Sequence, residues 1–361
     1  MAEKNDNLQL DFQIGDESFK EEKAQFWKEL EKLGMDKSVD RVVAKDGPIF
    51  KKPKMTGYPT LDEKTEGLTR GINILAAPTS VGKSSLALNI ASNLAKKNEP
   101  VIYISTEMSD AGCASKMMSN ASLYNMGFGK AKSAKDFMKV KDEDTTDYTT
   151  PQMLRMIADT KEIGKNIFFL ENNGICTWDI DSITEFVRKA VKYGLKDPVL
   201  MIDYIQDLPA SSIQMNMCEK DAYDYAIRKI RELVNELGIC VLLVSSTNRT
   251  SGQNVSMDSL SGTHLYEYAA DMLLALTYVG AEEKKFDISA ARQAHPRKLC
   301  VKVVKHRYNE VEAKIMLDFY SKYNFFLDVE YEQHRKELEK KTPVSQMPIP
   351  QDIDDDSLPF N

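Results

Sequence analysis

Residues 74–86 of the chain read Ile74-Leu75-Ala76-Ala77-Pro78-Thr79-Ser80-Val81-Gly82-Lys83-Ser84-Ser85-Leu86. The apolar run that leads into this stretch, Ile72–Ala77, predicts a buried strand. The residues that follow carry Leu86, Ile90 and Leu94 at the spacing of one helix face. A tight loop between a strand and a helix N-terminus is suited to holding an anion, because backbone N–H groups and the helix dipole both face it. We therefore expect this stretch to bind a nucleotide.

The residue types in the loop suit a triphosphate. Gly82 lets the backbone approach the phosphates, the Lys83 ammonium reaches the outer phosphates, and the Ser84 hydroxyl is a ligand for Mg²⁺. We take ATP or a related nucleotide, with Mg²⁺, as the ligand. The predicted nucleotide-binding residues are Ala77, Pro78, Thr79, Ser80, Val81, Gly82, Lys83, Ser84 and Ser85. Ala77 stands where the motif usually has its first glycine, and a chance match is the alternative that the flanking strand and helix argue against.

The composition is that of a soluble protein with a large core. The chain has 361 residues, 42% of them hydrophobic, and a net charge of −7, which leaves a nucleic-acid partner open. No apolar run approaches the ~18 residues of a membrane span, and the N-terminus lacks the pattern of a secretory signal, so we expect a cytoplasmic protein without a membrane partner. The cysteines contain no C-x-x-C pair, which argues against zinc and predicts reduced core residues: Cys113, Cys176, Cys218, Cys240 and Cys300.

Changes in composition divide the chain into three segments. Residues 1–55 are polar and expected to be mobile, with a polar linker over 36–54. They also contain an amphipathic helix, about 18–34, that packs either on its own domain or on a neighbouring subunit. Residues 56–330 form the predicted ATPase domain. Residues 331–361 are charged, then Pro-rich and acidic, and we expect disorder beyond about Lys341.

Strand and helix patterns alternate within the predicted ATPase domain. Their order is strand Ile72–Ala77, helix Ser84–Leu94, strand Val101–Ser105, a helical stretch after Ser109, strand Ile167–Leu170, helix Ile180–Tyr193, strand Val199–Ile202, helix Lys220–Leu237 and strand Cys240–Ser245. Further apolar runs follow at Ala270–Tyr278, Leu299–Lys305 and Ala313–Leu317, the last two as a hairpin. The alternation predicts an α/β fold with a doubly wound, mostly parallel sheet and helices on both faces.

Charged side chains follow several of the predicted strands. In a doubly wound sheet the carboxyl ends of the strands gather beside the phosphate loop, so we expect Asp203 near Ser84, holding Mg²⁺ directly or through water. Glu107, after another strand, is our candidate for the base that polarises the attacking water. Lys305 and Arg307 are candidates to stabilise charge on the γ-phosphate, in cis or from a neighbour. Structural carboxylates and a solvated basic strand end are the alternatives.

Together these segments resemble the C-terminal RecA-like motor domain of DnaB-type replicative helicases, over roughly residues 56–328. The resemblance rests on Gly57-Tyr58-Pro59-Thr60-Leu61-Asp62, Gly67-Leu68, the loop Ala76–Ser84, Ser105-Thr106-Glu107-Met108-Ser109, Ile202-Asp203-Tyr204-Ile205-Gln206, and Lys305 with Arg307. It implies a RecA-like fold, with Glu107 as the catalytic residue, Asp203 at the metal, and Lys305 and Arg307 reaching into the neighbouring subunit's site. It also implies a helicase ring, usually of six subunits, that moves 5′ to 3′ on single-stranded DNA, and we expect a phage- or mobile-element-encoded member.

The resemblance weakens after the strand Val241–Val244. There the family has a Ser-Gln pair whose glutamine senses the γ-phosphate, whereas this chain has Ser246 at the position of the glutamine. A serine side chain is too short for the same reach. Coupling to the phosphate then runs through Thr247 or Asn248, or is weaker.

The predicted DNA-contacting loop also departs from the family. Its usual arginine is missing from Leu260-Ser261-Gly262-Thr263-His264. Because single strands can be held by backbone donors and a few cations, we take Gly262, Thr263 and Arg249 as candidate DNA contacts.

The two ends of the chain suggest protein partners. If the helix over 18–34 is equivalent to the family's linker helix, it latches one subunit to the next. The C-terminal stretch Asp352–Asn361 is acidic and then apolar, and it resembles the partner-binding tips of single-stranded DNA-binding proteins. We expect it to bind a replisome protein such as primase, polymerase or a loader, the alternative being a solubilising tail.

Two other functions stay open at the level of sequence. A RecA/RadA-type recombination ATPase, which forms open filaments, would carry the same phosphate loop, although the segments around Glu107 and Arg307 favour a ring. A nucleotide-gated replisome adaptor with little hydrolysis would account for Ser246.

Overall fold

The computed structural model describes residues 17–32, 35–44, 51–140, 143–144, 146–172, 177–208, 211, 214, 217–247, 269–283, 285–309 and 312–341. The chain divides into two compact units, residues 1–50 and residues 51–361. The first unit contains helices α1 (Glu17–Lys32) and α2 (Met35–Ala44). The helices of the second unit are α3 (Pro59–Thr65), α4 (Lys83–Lys96), α5 (Asp110–Met126), α6 (Ala134–Phe137), α7 (Pro151–Gly164), α8 (Ile180–Lys192), α9 (Glu219–Leu237), α10 (Ile288–Gln293) and α11 (Val329–Lys341).

One sheet organises the second unit. Its strands are β1 (Ile72–Ala77), β2 (Val101–Ser105), β3 (Ile167–Glu171), β4 (Val199–Asp203), β5 (Cys240–Ser246), β6 (Met272–Tyr278), β7 (Arg297–His306), β8 (Lys314–Tyr320) and β9 (Phe325–Asp328). They lie in the order β3-β2-β4-β5-β1-β6-β7-β8-β9. Strands β1 to β6 pair in parallel, whereas β7, β8 and β9 extend the sheet as an antiparallel meander. This arrangement confirms the predicted doubly wound, mostly parallel sheet and the hairpin of β7 and β8.

The core lies on both faces of the sheet because successive side chains of a strand point in opposite directions. Along β1, Ile72, Ile74 and Ala76 belong to one apolar cluster, which α8 and α9 cover. Leu75 and Ala77 belong to the other cluster, which α4 covers. A strand that is buried on both faces reads as a continuous apolar run, and this explains the unbroken run Ile72–Ala77.

The structure differs from the sequence prediction in the N-terminal segment, and it also describes the first part of the C-terminal tail. Helix α2 lies within the segment predicted to be a polar linker, because Met35, Val39 and Val42 recur at helical spacing between charged residues. Residues 331–341 of the predicted tail belong to α11. The rest of that tail lies outside the described residues.

Two expectations from composition concern the cysteines and membranes. Cys113, Cys240 and Cys300 are buried, as predicted for core residues, but Cys218 is exposed. It lies at the N-cap of α9, at the surface end of a helix, so the prediction of a core position was wrong for Cys218. Within the described part of the chain, no helix has the length and apolarity required to cross a membrane.

Candidate nucleotide-binding site

The phosphate loop joins the end of β1 to the start of α4. Gly82 caps the helix with φ 129° and ψ 18°, and no side chain of the described structure caps the helix N-terminus. A Cβ at Gly82 would lie 2.9 Å from Cε1 of Phe319, whose ring stacks on Phe326 with centroids 4.1 Å apart. Glycine is therefore required here by both conformation and space. The N–H groups in the first turn of α4 are therefore available to donate hydrogen bonds to an anion that binds in the loop.

Two arginines hold the backbone of this loop from another part of the chain. Arg292 donates to the carbonyl of Thr79 (3.5 Å), and Arg297 donates to the carbonyl of Ser80 (3.3 Å). Thr79 and Ser80 themselves are exposed, and Ser80 has a positive φ of 67°. Neither arginine was predicted from the sequence, because contacts across more than 200 residues leave no local pattern.

Asp203 lies beside the start of α4, as predicted. It ends β4 and is 4% exposed. The Ser84 hydroxyl donates to its Oδ1 (3.1 Å), and the Tyr103 hydroxyl donates to its Oδ2 (2.8 Å). A hydroxyl oxygen and a carboxylate oxygen in contact are the hard donors that Mg²⁺ takes together with phosphate and water oxygens. These residues therefore fit the predicted metal.

The electrostatics of Asp203 combine burial with compensating partners. Burial raises the pKa of Asp203, and hydrogen bonds from Tyr103 and Ser84 and the charge of Lys83 oppose this rise without cancelling it. Burial also raises the pKa of Tyr103 well above its ordinary value, so Tyr103 stays a donor to the carboxylate. Lys83 is 8% exposed, and its Nζ lies 4.8 Å from the ring centroid of Tyr204.

Glu107 lies at the same edge of the sheet. Ser105 is the register partner of Asp203, so the segment after β2 runs beside the segment after β4. The Thr106 N–H donates to the Asp203 carbonyl (2.9 Å), and the Tyr204 N–H donates to the Thr106 hydroxyl (3.1 Å). Glu107 is exposed, and its charge contributes to raising the pKa of Asp203. The candidate base is therefore held close to the candidate metal ligand and open to water.

The end of β5 is where the chain departs from the expected sensor sequence. Ser246 is the register partner of Ala77 and so lies next to the start of the phosphate loop. The Gln206 amide donates to the Ser245 hydroxyl (2.6 Å), which places a glutamine at this edge although Ser246 replaces the expected one. Thr247 is 8% exposed and donates its N–H to the Ala77 carbonyl (3.2 Å). Asn248 lies outside the described residues.

Lys305 and Arg307 lie at the opposite edge of the sheet. Strand β7 runs antiparallel to β6, so its last residue, His306, pairs with the first residue of β6, Met272. Because β6 is parallel to β1, Arg307 follows at the amino ends of the parallel strands, whereas Lys83 follows at their carboxyl ends. The five steps between the six residues of β1, at about 3.3 Å each, separate these edges by roughly 17 Å. The structure thus does not bring Arg307 to the phosphate loop of its own chain.

The candidate DNA contacts Arg249, Gly262 and Thr263 lie outside the described residues.

A comparison with known protein families identifies the family of this chain. The family model described as DnaB-like helicase C terminal domain matches residues 55–328. The chain belongs to this family.

Curated members of the DnaB family are distant relatives in sequence. The replicative DNA helicase DnaB of Leifsonia xyli subsp. xyli is 28% identical over 302 residues, which cover 81% of this chain and 60% of that protein. The replicative DNA helicase DnaB of Geobacillus stearothermophilus is 26% identical over 306 residues, with the same coverage of 81% and 60%. The chain thus spans about 60% of the length of these DnaB relatives.

Solved structures of DnaB-like proteins share the fold. A DnaB-like replicative helicase, described together with its interactions with primase, superposes with a TM-score of 0.62 at 20% identity, covering 82% of this chain and 66% of that one. A separately solved ATPase domain superposes with a TM-score of 0.63, also at 20% identity, covering 87% and 99%. At this identity the likeness concerns the RecA-like fold.

Proposed function

We propose that this chain is the motor part of an ATP-dependent, ring-forming replicative DNA helicase that moves on single-stranded DNA. The observation that carries the proposal is the contact of Ser84 with Asp203 at the start of α4, with Glu107 held beside it. Membership of the DnaB-like family supplies the reaction to which such a site belongs. ATP is the proposed substrate.

The position of each residue in the site suggests its role in ATP binding and hydrolysis. Lys83 and the N–H groups at the start of α4 bind the phosphates. Ser84 and Asp203 would hold Mg²⁺, which when bound neutralises charge on the phosphate oxygens. Glu107 accepts a proton from the water that attacks the γ-phosphate, because its carboxylate is exposed while Asp203 is buried.

The missing cation of the site is proposed to come from a neighbouring subunit. Arg307 and Lys305 lie at the other edge of the sheet, beyond the reach of their own phosphate loop. A head-to-tail ring, six subunits in the proposal, would bring the Arg307 edge of one subunit to the phosphate loop of the next. A guanidinium supplied in this way stabilises the charge that develops during phosphoryl transfer.

The partners of the proposed motor follow from the family and the sequence. We propose single-stranded DNA as the track, 5′ to 3′ as the direction, and Arg249, Gly262 and Thr263 as DNA contacts. The acidic C-terminal stretch would bind a primase, polymerase or loader. A DnaB-like helicase has been described with its interactions with primase, which supports a partner of this class. The cytoplasm of a bacterial host is the proposed setting.

The test is the rate of ATP hydrolysis with and without single-stranded DNA. DNA should stimulate the unmodified protein, Glu107→Gln should lower the rate about 10²-fold or more, and Arg307→Ala about 10³-fold or more. A mixture of the two variants should recover activity, because a mixed ring pairs an intact Glu107 with a neighbour's intact Arg307. Arg188→Ala, which removes an arginine paired with Glu236 on the surface, should change little.

An adaptor that hydrolyses little ATP is the second candidate. It is favoured by Ser246, which lies beside Ala77 with no side chain long enough to follow the γ-phosphate. Turnover near background at every DNA concentration, with nucleotide binding retained, would support the adaptor and contradict the motor. Closed rings in negative-stain images would exclude the open filament of a RecA/RadA-type ATPase.

A further inference from the structure

A buried carboxylate joins two arginines at the edge of the sheet opposite the phosphate loop. Asp271, just before β6, is 1% exposed. Its Oδ2 accepts from the Ile72 N–H (2.8 Å) and from Nη1 of Arg231 (2.8 Å). Its Oδ1 lies 2.7 Å from Nη1 of Arg307. Asp271 thus connects helix α9, strand β1 and the end of β7.

The backbone around Asp271 is shaped to hold this carboxylate. The Arg307 N–H donates to the Asp271 carbonyl (2.7 Å), and the Asp271 N–H donates to the Ile72 carbonyl (2.8 Å). Gly71 has φ 153°, and a Cβ there would lie 2.1 Å from Oδ2 of Asp271. Arg231 also donates to the carbonyl of Ala269. The main chain and the side chain of Arg307 are therefore both tied to the same residue.

The three side chains differ in how far they face solvent. The side chain of Asp271 is 2% exposed and that of Arg231 is 26% exposed, whereas that of Arg307 is 42% exposed. A buried carboxylate next to a guanidinium balances its charge and restricts a side chain that otherwise samples many rotamers. The exposed part of Arg307 is consequently presented at the surface in one orientation.

We infer that Asp271 is a positioning residue that holds Arg307 ready for the nucleotide of the next subunit. This inference rests on the proposed function, because it assigns Arg307 to a neighbour's site. Arg231 supports the carboxylate from the side of α9. An arginine that is already oriented loses less freedom when it contacts the γ-phosphate, and a small misplacement of such a group can slow a reaction on the order of 10²-fold.

The variant that tests the inference is Asp271→Asn, which keeps the shape and removes the charge. Its own nucleotide site is intact, so its affinity for a fluorescent ATP analogue should stay within about twofold of the unmodified protein. Its ATPase rate should fall, on the order of 10²-fold.

Mixed rings then show whether the defect lies in the variant's own nucleotide site or in the site of the neighbouring subunit. Two differently tagged variants are co-purified so that each ring contains both. The pair Asp271→Asn and Glu107→Gln should recover activity, as is expected of the pair Arg307→Ala and Glu107→Gln. Asp271→Asn with Arg307→Ala should not, because both lack a functional arginine. The reverse pattern would mean that Asp271 supports its own subunit's site, and it would overturn the inference.

A second readout does not depend on catalysis. Modification of arginines by a dicarbonyl reagent, mapped by mass spectrometry, should be several-fold faster at Arg307 in Asp271→Asn than in the unmodified protein, with Arg155 unchanged as an internal reference. An unchanged rate at Arg307 would overturn the inference whatever the ATPase shows. Failure of the Glu107→Gln and Arg307→Ala pair to recover activity would instead contradict the proposed ring motor.

Asp328→Asn is the matched control. Asp328 is also a buried carboxylate, 6% exposed, but it accepts from the N–H (2.8 Å) and hydroxyl (2.6 Å) of Thr60. Its substitution should lower stability without changing the modification rate of Arg307 and without behaving like Arg307→Ala in mixed rings. If both substitutions had equal effects on Arg307 modification and in mixed rings, Asp271 would be only a general stabilising residue and the inference would be overturned.

Discussion

At Gly82 the chain turns from the phosphate loop into α4 with a φ of 129°, close to the ring of Phe319. We predict that Gly82→Ala lowers the free energy of unfolding by about 1–3 kcal/mol, because the new Cβ is strained and meets the ring at 2.9 Å. Movement of the loop should also weaken nucleotide binding about tenfold or more. Denaturant unfolding and titration with a fluorescent nucleotide measure the two effects.

The control for this substitution is Gly164→Ala. Gly164 ends α7, and a Cβ there meets nothing within 4 Å. Since alanine favours a helix over glycine, stability should rise, by up to about 1 kcal/mol, with unchanged nucleotide binding. Equal losses at both glycines would contradict the special role of Gly82.

The cysteines give a residue-scale prediction about reactivity. Burial raises the pKa of the Cys113 thiol and of the Cys240 thiol to about 12, so at pH 8 roughly 10⁻⁴ of each is thiolate. Cys218 is exposed. A brief iodoacetamide treatment of the native protein should therefore label Cys218 and spare Cys113 and Cys240, as peptide mapping would show.

Unfolding in denaturant should expose Cys113 and Cys240 to the same reagent, and Cys218→Ser should remove the native label at that position. Rapid native labelling of Cys240 would mean that β5 opens easily.

At the residue scale, the sequence was sufficient to predict which side chains meet beside the phosphate loop at the carboxyl ends of β1 and β4. The proximity of Ser84 and Asp203 was predictable, because the carboxyl ends of parallel strands meet at one edge. Tyr103 was hidden within an apolar run, where nothing marks which side chain faces a carboxylate. Arg292 and Arg297 reach the loop from α10 and β7, and only the complete fold brings them there.

Among the elements, the turn before β4 is tied to the segment before β1 by charges. Asp197 accepts from Arg70 through both oxygens (2.6 and 2.7 Å), and Lys54 lies 2.8 Å from it. Burial raises the pKa of Asp197, but the hydrogen bonds and charges of Arg70 and Lys54 outweigh it and leave the pKa below its ordinary value. The native state therefore prefers the ionised carboxylate.

The lowered pKa of Asp197 determines how its contribution to stability should depend on pH. A carboxyl group with a lowered folded pKa stabilises the native state above its unfolded pKa, about 3.9, and loses that contribution as pH falls through the folded value. We predict that Asp197→Asn costs about 1–3 kcal/mol at pH 7 and that the difference shrinks below about pH 4. Urea unfolding at pH 7, 5 and 3.5 measures it.

Glu185→Gln is the control, because Glu185 forms a solvent-exposed pair with Lys189 on α8. Solvent screens such a pair, so its loss should leave stability unchanged within error at each pH. A cost of Asp197→Asn that is constant across the pH range would show that its charge is unimportant.

The elements themselves were predictable to different degrees. Strands β1, β2, β4, β5 and β6 are buried on both faces and therefore read as apolar runs, whereas β3, at the edge of the sheet, is only partly buried. Strand β9 has only four residues and follows Asn324, whose φ is 52°, so neither length nor alternation marks it. Helix α2 was concealed by charged residues around Val39 and Val42.

For the whole molecule, the main consequence of the topology is that its two charged edges are separated. The phosphate loop follows the carboxyl end of β1, whereas Arg307 follows β7 and lies beside the amino end of β6. In the proposed ring of head-to-tail subunits the two edges would meet at every interface, whereas an isolated subunit would leave the proposed nucleotide without the arginine. The ATPase rate per subunit should therefore rise with protein concentration as rings assemble.

Helix α1 carries an aromatic pair that we expect to hold neighbouring subunits together. Phe26 and Trp27 are each 57% exposed in the single chain, and their rings meet edge to face with centroids 6.4 Å apart. Burial of a large apolar side chain against a neighbour contributes about 1.5–3 kcal/mol, so Phe26→Ser with Trp27→Ser should raise the concentration for half-assembly at least about tenfold. Native mass spectrometry over a dilution series measures this shift.

Lys23→Ser with Lys28→Ser, on the same exposed helix, should leave assembly nearly unchanged. Equal assembly of the aromatic variant and the unmodified protein would mean that α1 does not join subunits, and ring formation would then depend on the interfaces of the second unit alone.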